Sequence, residues 1–137
     1  MKRHLLSTLL LLPLLLFVNM EAMGLEMNEV ERALKNALTN NKPAAICAHL
    51  NNQVQVQICG DKKVISKSQT EQILHHFFSE TDPIYFSVTR KWELESGIGI
   101  QGTLSTKQGD YSVFLQLKIT DNNYYINQIR IENGSKE

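Results

Sequence analysis

Between Met27 and Leu38 the apolar residues Met27, Val30, Ala33, Leu34, Ala37 and Leu38 recur at helical spacing. That is the pattern of an amphipathic helix with one buried stripe. Asn40-Asn41 ends it, and Pro43 suits the first turn of a second, short helix reaching Leu50, because proline has no amide hydrogen to leave unpaired there. The period then changes to two. Across Gln53–Cys59 the residues Val54, Val56 and Ile58 share one face of a strand. Gly60-Asp61 predicts a turn and Val64-Ile65 a brief returning strand. Ser68-Gln69-Thr70-Glu71 reads as a capping box, with the Ser68 hydroxyl accepting from the Glu71 amide. Behind it Ile73, Leu74, Phe77 and Phe78 form the inward stripe of a third helix ending near Ser79, and Thr81-Asp82-Pro83 breaks the chain.

Everything after Pro83 reads as β-structure. Ile84, Phe86 and Val88 alternate with Tyr85, Ser87 and Thr89, and Glu95-Ser96-Gly97 turns the chain into a strand over Ile98–Thr106. Lys107-Gln108-Gly109-Asp110 is a hairpin loop before Tyr111–Thr120, whose apolar face is Tyr111, Val113, Leu115, Leu117 and Ile119. Asp121-Asn122-Asn123 leads to the last strand, Tyr124–Glu132. Its phase slips between Ile126 and Ile129, which predicts a bulge near Asn127-Gln128. Helices first and long hairpins afterwards define an α+β class.

The segment before this pattern is of another kind. Lys2 and Arg3 precede an apolar run from Leu5 to Val18, and Ala22 and Gly24 supply a small-x-small site. Residues 1–24 therefore read as a cleavable signal peptide, with a single domain over residues 25–137. The run is short for a permanent membrane anchor, so the expected location is periplasmic or extracellular, with no membrane association after cleavage. Lysine plus arginine balance aspartate plus glutamate at 14 each. No basic stripe marks the chain, which argues against nucleic acid as a partner. Cys47 and Cys59 lie on elements whose buried faces differ in parity, so their side chains are expected to point to different layers rather than to pair.

One local signature carries a resemblance. It is Ser66-Lys67-Ser68-Gln69-Thr70-Glu71-Gln72-Ile73-Leu74 leading into Phe77-Phe78, supported by Phe86-Ser87-Val88, Gly102-Thr103-Leu104-Ser105-Thr106 and Ile129-Arg130-Ile131-Glu132. On these residues the chain resembles small secreted bacterial proteins of the domain of unknown function 4783 family. Its element order is similar to that of the nuclear transport factor 2-like fold, within the cystatin-like α+β superfamily. The resemblance implies N-terminal helices packed in a strongly curved antiparallel sheet, with a cone-shaped cavity. It implies no activity.

Enzymes on such a fold place a sheltered carboxylate or imidazole in the cavity, as general acid–base work requires. No inward carboxylate is evident: Asp61, Asp82, Glu93, Glu95, Asp110 and Asp121 fall in turns or at element ends, and Glu71 is used in capping. His75 and His76 are adjacent on the third helix and do not converge on a metal. His49, near the end of the second helix, reads as a favourable cation at a helix terminus. Catalytic residues, a metal site and a cofactor are therefore not expected. Arg90 and Trp92 share parity with Phe86 and Val88, which places them at one mouth of the cavity as candidate ligand-binding residues for an anionic or planar molecule. Arg130 would also face inward if the bulge near Asn127 were absent. Tyr111 belongs to the opposite end of the sheet.

The outward face, with Tyr85, Ser87, Thr89, Gln101, Thr103, Ser105, Phe114 and Gln116, carries charge only at Lys91 and Lys118 near one end. Such a face suits a partner and makes a homodimer an expectation. Three functions stay open: a non-catalytic module binding a small ligand or a protein partner, an assembly protein dimerising through this face, and a lyase- or isomerase-like enzyme. A polar cavity with a buried carboxylate would favour the enzyme. A filled apolar interior would favour assembly.

Overall fold

A computed structural model describes residues 29–134. The proposed signal peptide lies outside the described residues. Helix α1 occupies residues 29–39, α2 runs Pro43–Cys47, and β1 (Leu50–Ile58) and β2 (Asp61–Ser66) lead into α3 (Lys67–Thr81). Four long strands follow: β3 (Pro83–Leu94), β4 (Gly97–Thr106), β5 (Gly109–Thr120) and β6 (Asn123–Asn133). They form one six-stranded sheet of order β2-β1-β6-β5-β4-β3. β1 and β6 are parallel, and every other neighbouring pair is antiparallel. At the β5–β6 hairpin Asp121 and Asn122 have φ of 51° and 63°, the backbone of a tight turn whose twist matches the strands it joins.

Helix α3 starts two residues earlier than the sequence reading placed it. Its N-cap is Ser66, the last residue of β2, whose φ of −72° and ψ of 165° are already extended. Ser66 Oγ accepts from the Gln69 amide at 3.2 Å, and Gln69 Oε1 accepts from the Ser66 amide at 3.1 Å. Ser68 lies inside the first turn, so Ser68 and Glu71 are not the capping box. The helix continues to Thr81, where Asp82 adopts a left-handed φ of 54° and its amide donates to the Phe78 carbonyl at 2.9 Å.

The concave face of the sheet is filled. Leu34, Ala37 and Leu38 of α1 and Leu74, Phe77 and Phe78 of α3 pack with Ile100, Leu104, Val113, Leu115, Leu117, Ile126, Ile129 and Ile131, all of them buried. A fully buried side chain such as Phe78 contributes about 1.5–3 kcal/mol, and Phe77 also meets Tyr111 edge-on at 5.0 Å. Thr70, Thr81 and Thr106 are the buried polar residues among those described. Each hydroxyl donates to a backbone carbonyl, of Ser66, Phe77 and Gly109 respectively, so none is left as a polar group facing a cavity.

Register shifts in β6, in β3 and in β1 between Leu50 and Gln55 bend the sheet and reset its side-chain phase. The bulge expected near Asn127 is present: β6 slips register between Ile126 and Gln128. Two further shifts interrupt β3, one at Ile84 and one at Thr89. The first turns Ile84 out of the core, 54% exposed, whereas alternation had placed it inside. Helix α1 covers the free edge of β3. Thr39 Oγ1 accepts the Phe86 amide at 3.0 Å, Glu31 pairs with Lys91 at 2.8 Å, and Lys35 lies over the Tyr85 ring at 5.5 Å. Cys47 is buried and Cys59 exposed, and both are free thiols. No helix among the described residues is long and apolar enough to cross a membrane.

Candidate functional site

The bulge at Thr89 decides where Arg90 and Trp92 go. Val88 pairs with Gly102 on the core side, but Arg90 pairs with Gln101 and Trp92 with Gly99. A one-residue slip moves every later side chain to the other face. Arg90 and Trp92 therefore lie on the outer face of the sheet, not at the mouth of an interior cavity. The same slip carries Lys91 to the α1 side, where it meets Glu31, so Lys91 does not belong to the outer face.

On that face the two residues join a run of stacked groups. Arg90 lies over the Trp92 ring at 5.2 Å, Trp92 stacks on Phe114 with centroids 5.5 Å apart and 17° between planes, and Arg130 lies over Phe114 at 4.9 Å. Gly99 makes room for this. A Cβ there would stand 2.5 Å from Trp92 Cε2, so the indole reaches Phe114 across β4 only because position 99 has no side chain. Each exposed cation–π contact contributes about 0.5–1 kcal/mol and the aromatic pair about 0.5–1.5 kcal/mol. The stack holds the rings and guanidiniums together on the outer face.

Cross-strand pairing lays the outer residues out in rows. The central row is Lys62–Gln57–Arg130–Phe114–Gln101–Arg90 and crosses all six strands. On one side runs Val64–Gln55–Gln128–Gln116–Gly99–Trp92; on the other run Glu132, Ser112, Thr103 and Ser87. Gln57 Nε2 donates to Glu132 Oε1 at 3.0 Å, and Gln101 Nε2 to Ser112 Oγ at 3.4 Å. Lys62, Arg90 and Arg130 are exposed, and none of them forms an ion pair among the described residues.

Elsewhere the titratable groups are set up for quiet roles. His76 pairs with Glu80 one turn on at 3.0 Å, on a solvated helix surface. His49 sits beyond the end of α2 in the turn before β1, and burial followed by repulsion from Lys67 lowers its pKa. It favours the neutral imidazole, contrary to the helix-end cation expected from the sequence. Burial, then the Glu71 carboxylate, pushes the Cys47 thiol up to about 11, which makes it a poor nucleophile at neutral pH. An open cleft of about 460 Å³ separates α1 from the turn carrying His49 and the start of β6. Another of about 680 Å³ lies between the α1–α2 connection and α3. Neither is lined by a buried carboxylate, and no group of residues able to hold a metal ion occurs among the described residues.

Of the sequence candidates, the structure joins Arg90, Trp92, Phe114 and Arg130, and leaves Tyr111 in the core against Phe77. Lys62 and Gly99 were not singled out from the sequence. The available signal was the outward parity that Lys62 shares with the glutamines of β1 once the Gly60 turn sets the hairpin register.

The family described as Domain of unknown function (DUF4783) matches residues 31–132. The chain belongs to this family. Crystal structures of DUF4783 proteins share the fold. One from Bacteroides ovatus is 22% identical with a TM-score of 0.73, the match covering 76% of this chain and 94% of that one. One from Bacteroides fragilis is 25% identical with a TM-score of 0.72, covering 74% and 96%. An NTF-2 like protein of unknown function from Silicibacter pomeroyi is 10% identical with a TM-score of 0.58, covering 82% and 97%. The DUF4783 fold of this chain is thus NTF2-like. No curated protein matches it.

Proposed function

We propose that this DUF4783 protein is an exported, non-catalytic binding module whose working surface is the outer face of its sheet. One observation carries this reading: the interior is packed with apolar side chains, while Arg90, Trp92, Phe114 and Arg130 are organised into a stack on the outside. Filling the interior removes the enclosed polar site that acid–base chemistry needs, and no carboxylate is buried among the described residues. Export rests on the basic start, apolar run and small residues of the first 24 positions.

The partner of this face has a second reading, a second copy of the chain. It is favoured by the filled apolar interior and by the aromatic and hydrogen-bonding groups Trp92, Gln101, Ser112 and Gln116 beside Phe114, which suit an interface better than a second core. Replacing Phe114 with Lys tests both. Introduced at the centre of the face, the charge should strip a co-purifying partner or dissociate a dimer without unfolding the protein. Native mass spectrometry of wild-type and variant protein purified from its own host reads either change. A partner or dimer retained unchanged by Phe114→Lys would remove the outer face as the working surface.

A further inference from the structure

We infer that the central row of the outer face binds a linear polysaccharide bearing carboxylates, a polyuronate, laid across the strands. The inference rests on the reading that the outer face is the working surface, and it names the occupant. Its first support is charge. Lys62, Arg130 and Arg90 lie in one row and are unpaired among the described residues. A guanidinium already held over a ring keeps its N–H edge free for a carboxylate and loses less freedom on binding.

The second support is spacing. Strands stand about 4.8 Å apart, so a row across six strands is about 24 Å long, with its cations about 10 and 14 Å apart. A ligand lying along it is extended and meets one side chain per strand. The third support is what fills the rest of the surface. Gln57 and Gln101 in the row, Gln55, Gln116 and Gln128 beside it, and Ser112 and Thr103 opposite supply amides and hydroxyls, the groups that exchange hydrogen bonds with sugar hydroxyls.

An acidic peptide fits less well. Extended peptides are recognised along a strand edge or through pockets for their side chains, whereas this row crosses the strands and the described clefts open elsewhere. The only carboxylate in the rows that border the cations is Glu132, and Gln57 engages it.

Trp92 is the only tryptophan in the chain, so its emission reports occupancy directly. Titration with oligogalacturonate should change that emission, and added salt should weaken the effect. Arg130→Gln and Lys62→Gln should each weaken binding about two- to fivefold, the range of an exposed ion pair. Lys62 stands on the edge strand opposite the one that carries Trp92, so Lys62→Gln should affect the oligomer but not monomeric galacturonate. No emission change, equal binding of the methyl-esterified oligomer, tighter or equal binding of oligoglutamate, or an unaltered Lys62→Gln would each overturn the inference. Sedimentation of wild type and Phe114→Lys separates the two levels. If sugar binding fails but Phe114→Lys dissociates a dimer, the outer face remains the working surface and the polysaccharide is withdrawn; if both fail, both readings fall.

Discussion

Gly99→Ala is the sharpest test of the outer stack, because the change adds one methyl group where the indole lies. The new Cβ would stand 2.5 Å from Cε2 of Trp92 and 2.8 Å from both Cζ2 and Nε1. Ordinary contact needs roughly 3.5–4 Å, so the ring must move by about 1 Å or swing away from β4. Moving it weakens the Trp92–Phe114 stack, worth about 0.5–1.5 kcal/mol, and the Arg90 contact, worth about 0.5–1 kcal/mol. Against this, a strand glycine replaced by alanine normally gains about 0.5–1 kcal/mol through reduced backbone freedom in the unfolded chain. The net expectation is a loss of up to about 2 kcal/mol, with a clear shift of Trp92 emission toward that of exposed indole. Chemical denaturation followed by far-ultraviolet circular dichroism measures the first, and steady-state fluorescence of folded protein the second. Unchanged emission together with a stability gain of about 0.5–1 kcal/mol would mean that the indole does not lie over Gly99.

Other outcomes follow from the same structure. Ser66→Ala should cost about 0.5–2 kcal/mol because the Gln69 amide loses its acceptor, while Ser68→Ala should change stability by less than about 0.5 kcal/mol; equal losses in urea denaturation would contradict the cap assignment. His49 has a lowered pKa in the folded protein, so the unfolded chain binds more protons in this range. The stability due to His49 is then fully present above its ordinary value of 6.5 and is lost as pH falls below it. His49→Gln should flatten the fall of the denaturation midpoint as pH drops below 6.5, and an identical slope would remove the burial argument. For export, N-terminal sequencing of protein outside the cytoplasm should begin near Met23 or Leu25, and Met1 at that terminus would reject the signal peptide.

Much of the architecture was legible because it depends on local pattern. Period alone distinguishes the helix stripe Leu34, Ala37, Leu38 from the strand stripe Val113, Leu115, Leu117, and Asp121-Asn122 marks its hairpin by tolerance of positive φ. The bulge at Asn127 was also visible, since the isoleucines on either side of it cannot share a face of a regular strand. That bulge settles Arg130, which lies outward. Ser68-x-x-Glu71 matches the capping-box pattern, yet Ser66-x-x-Gln69 forms the cap. Strand pairing chooses between them: Ser66 is held opposite Gln53, leaving it extended as an N-cap must be. The Thr89 bulge left no trace of the kind seen at Asn127, because Arg90 and Trp92 keep the alternation of Phe86 and Val88 in the one-dimensional pattern. What places them is non-local, namely α1 gripping the β3 edge at Phe86 and Lys91, and Gly99 leaving space for an indole on the other side of the sheet. A side chain's face is a sum of every register step before it, so one unpaired residue, stabilised by contacts distant in sequence, moved the candidate site from an interior mouth to the outer surface.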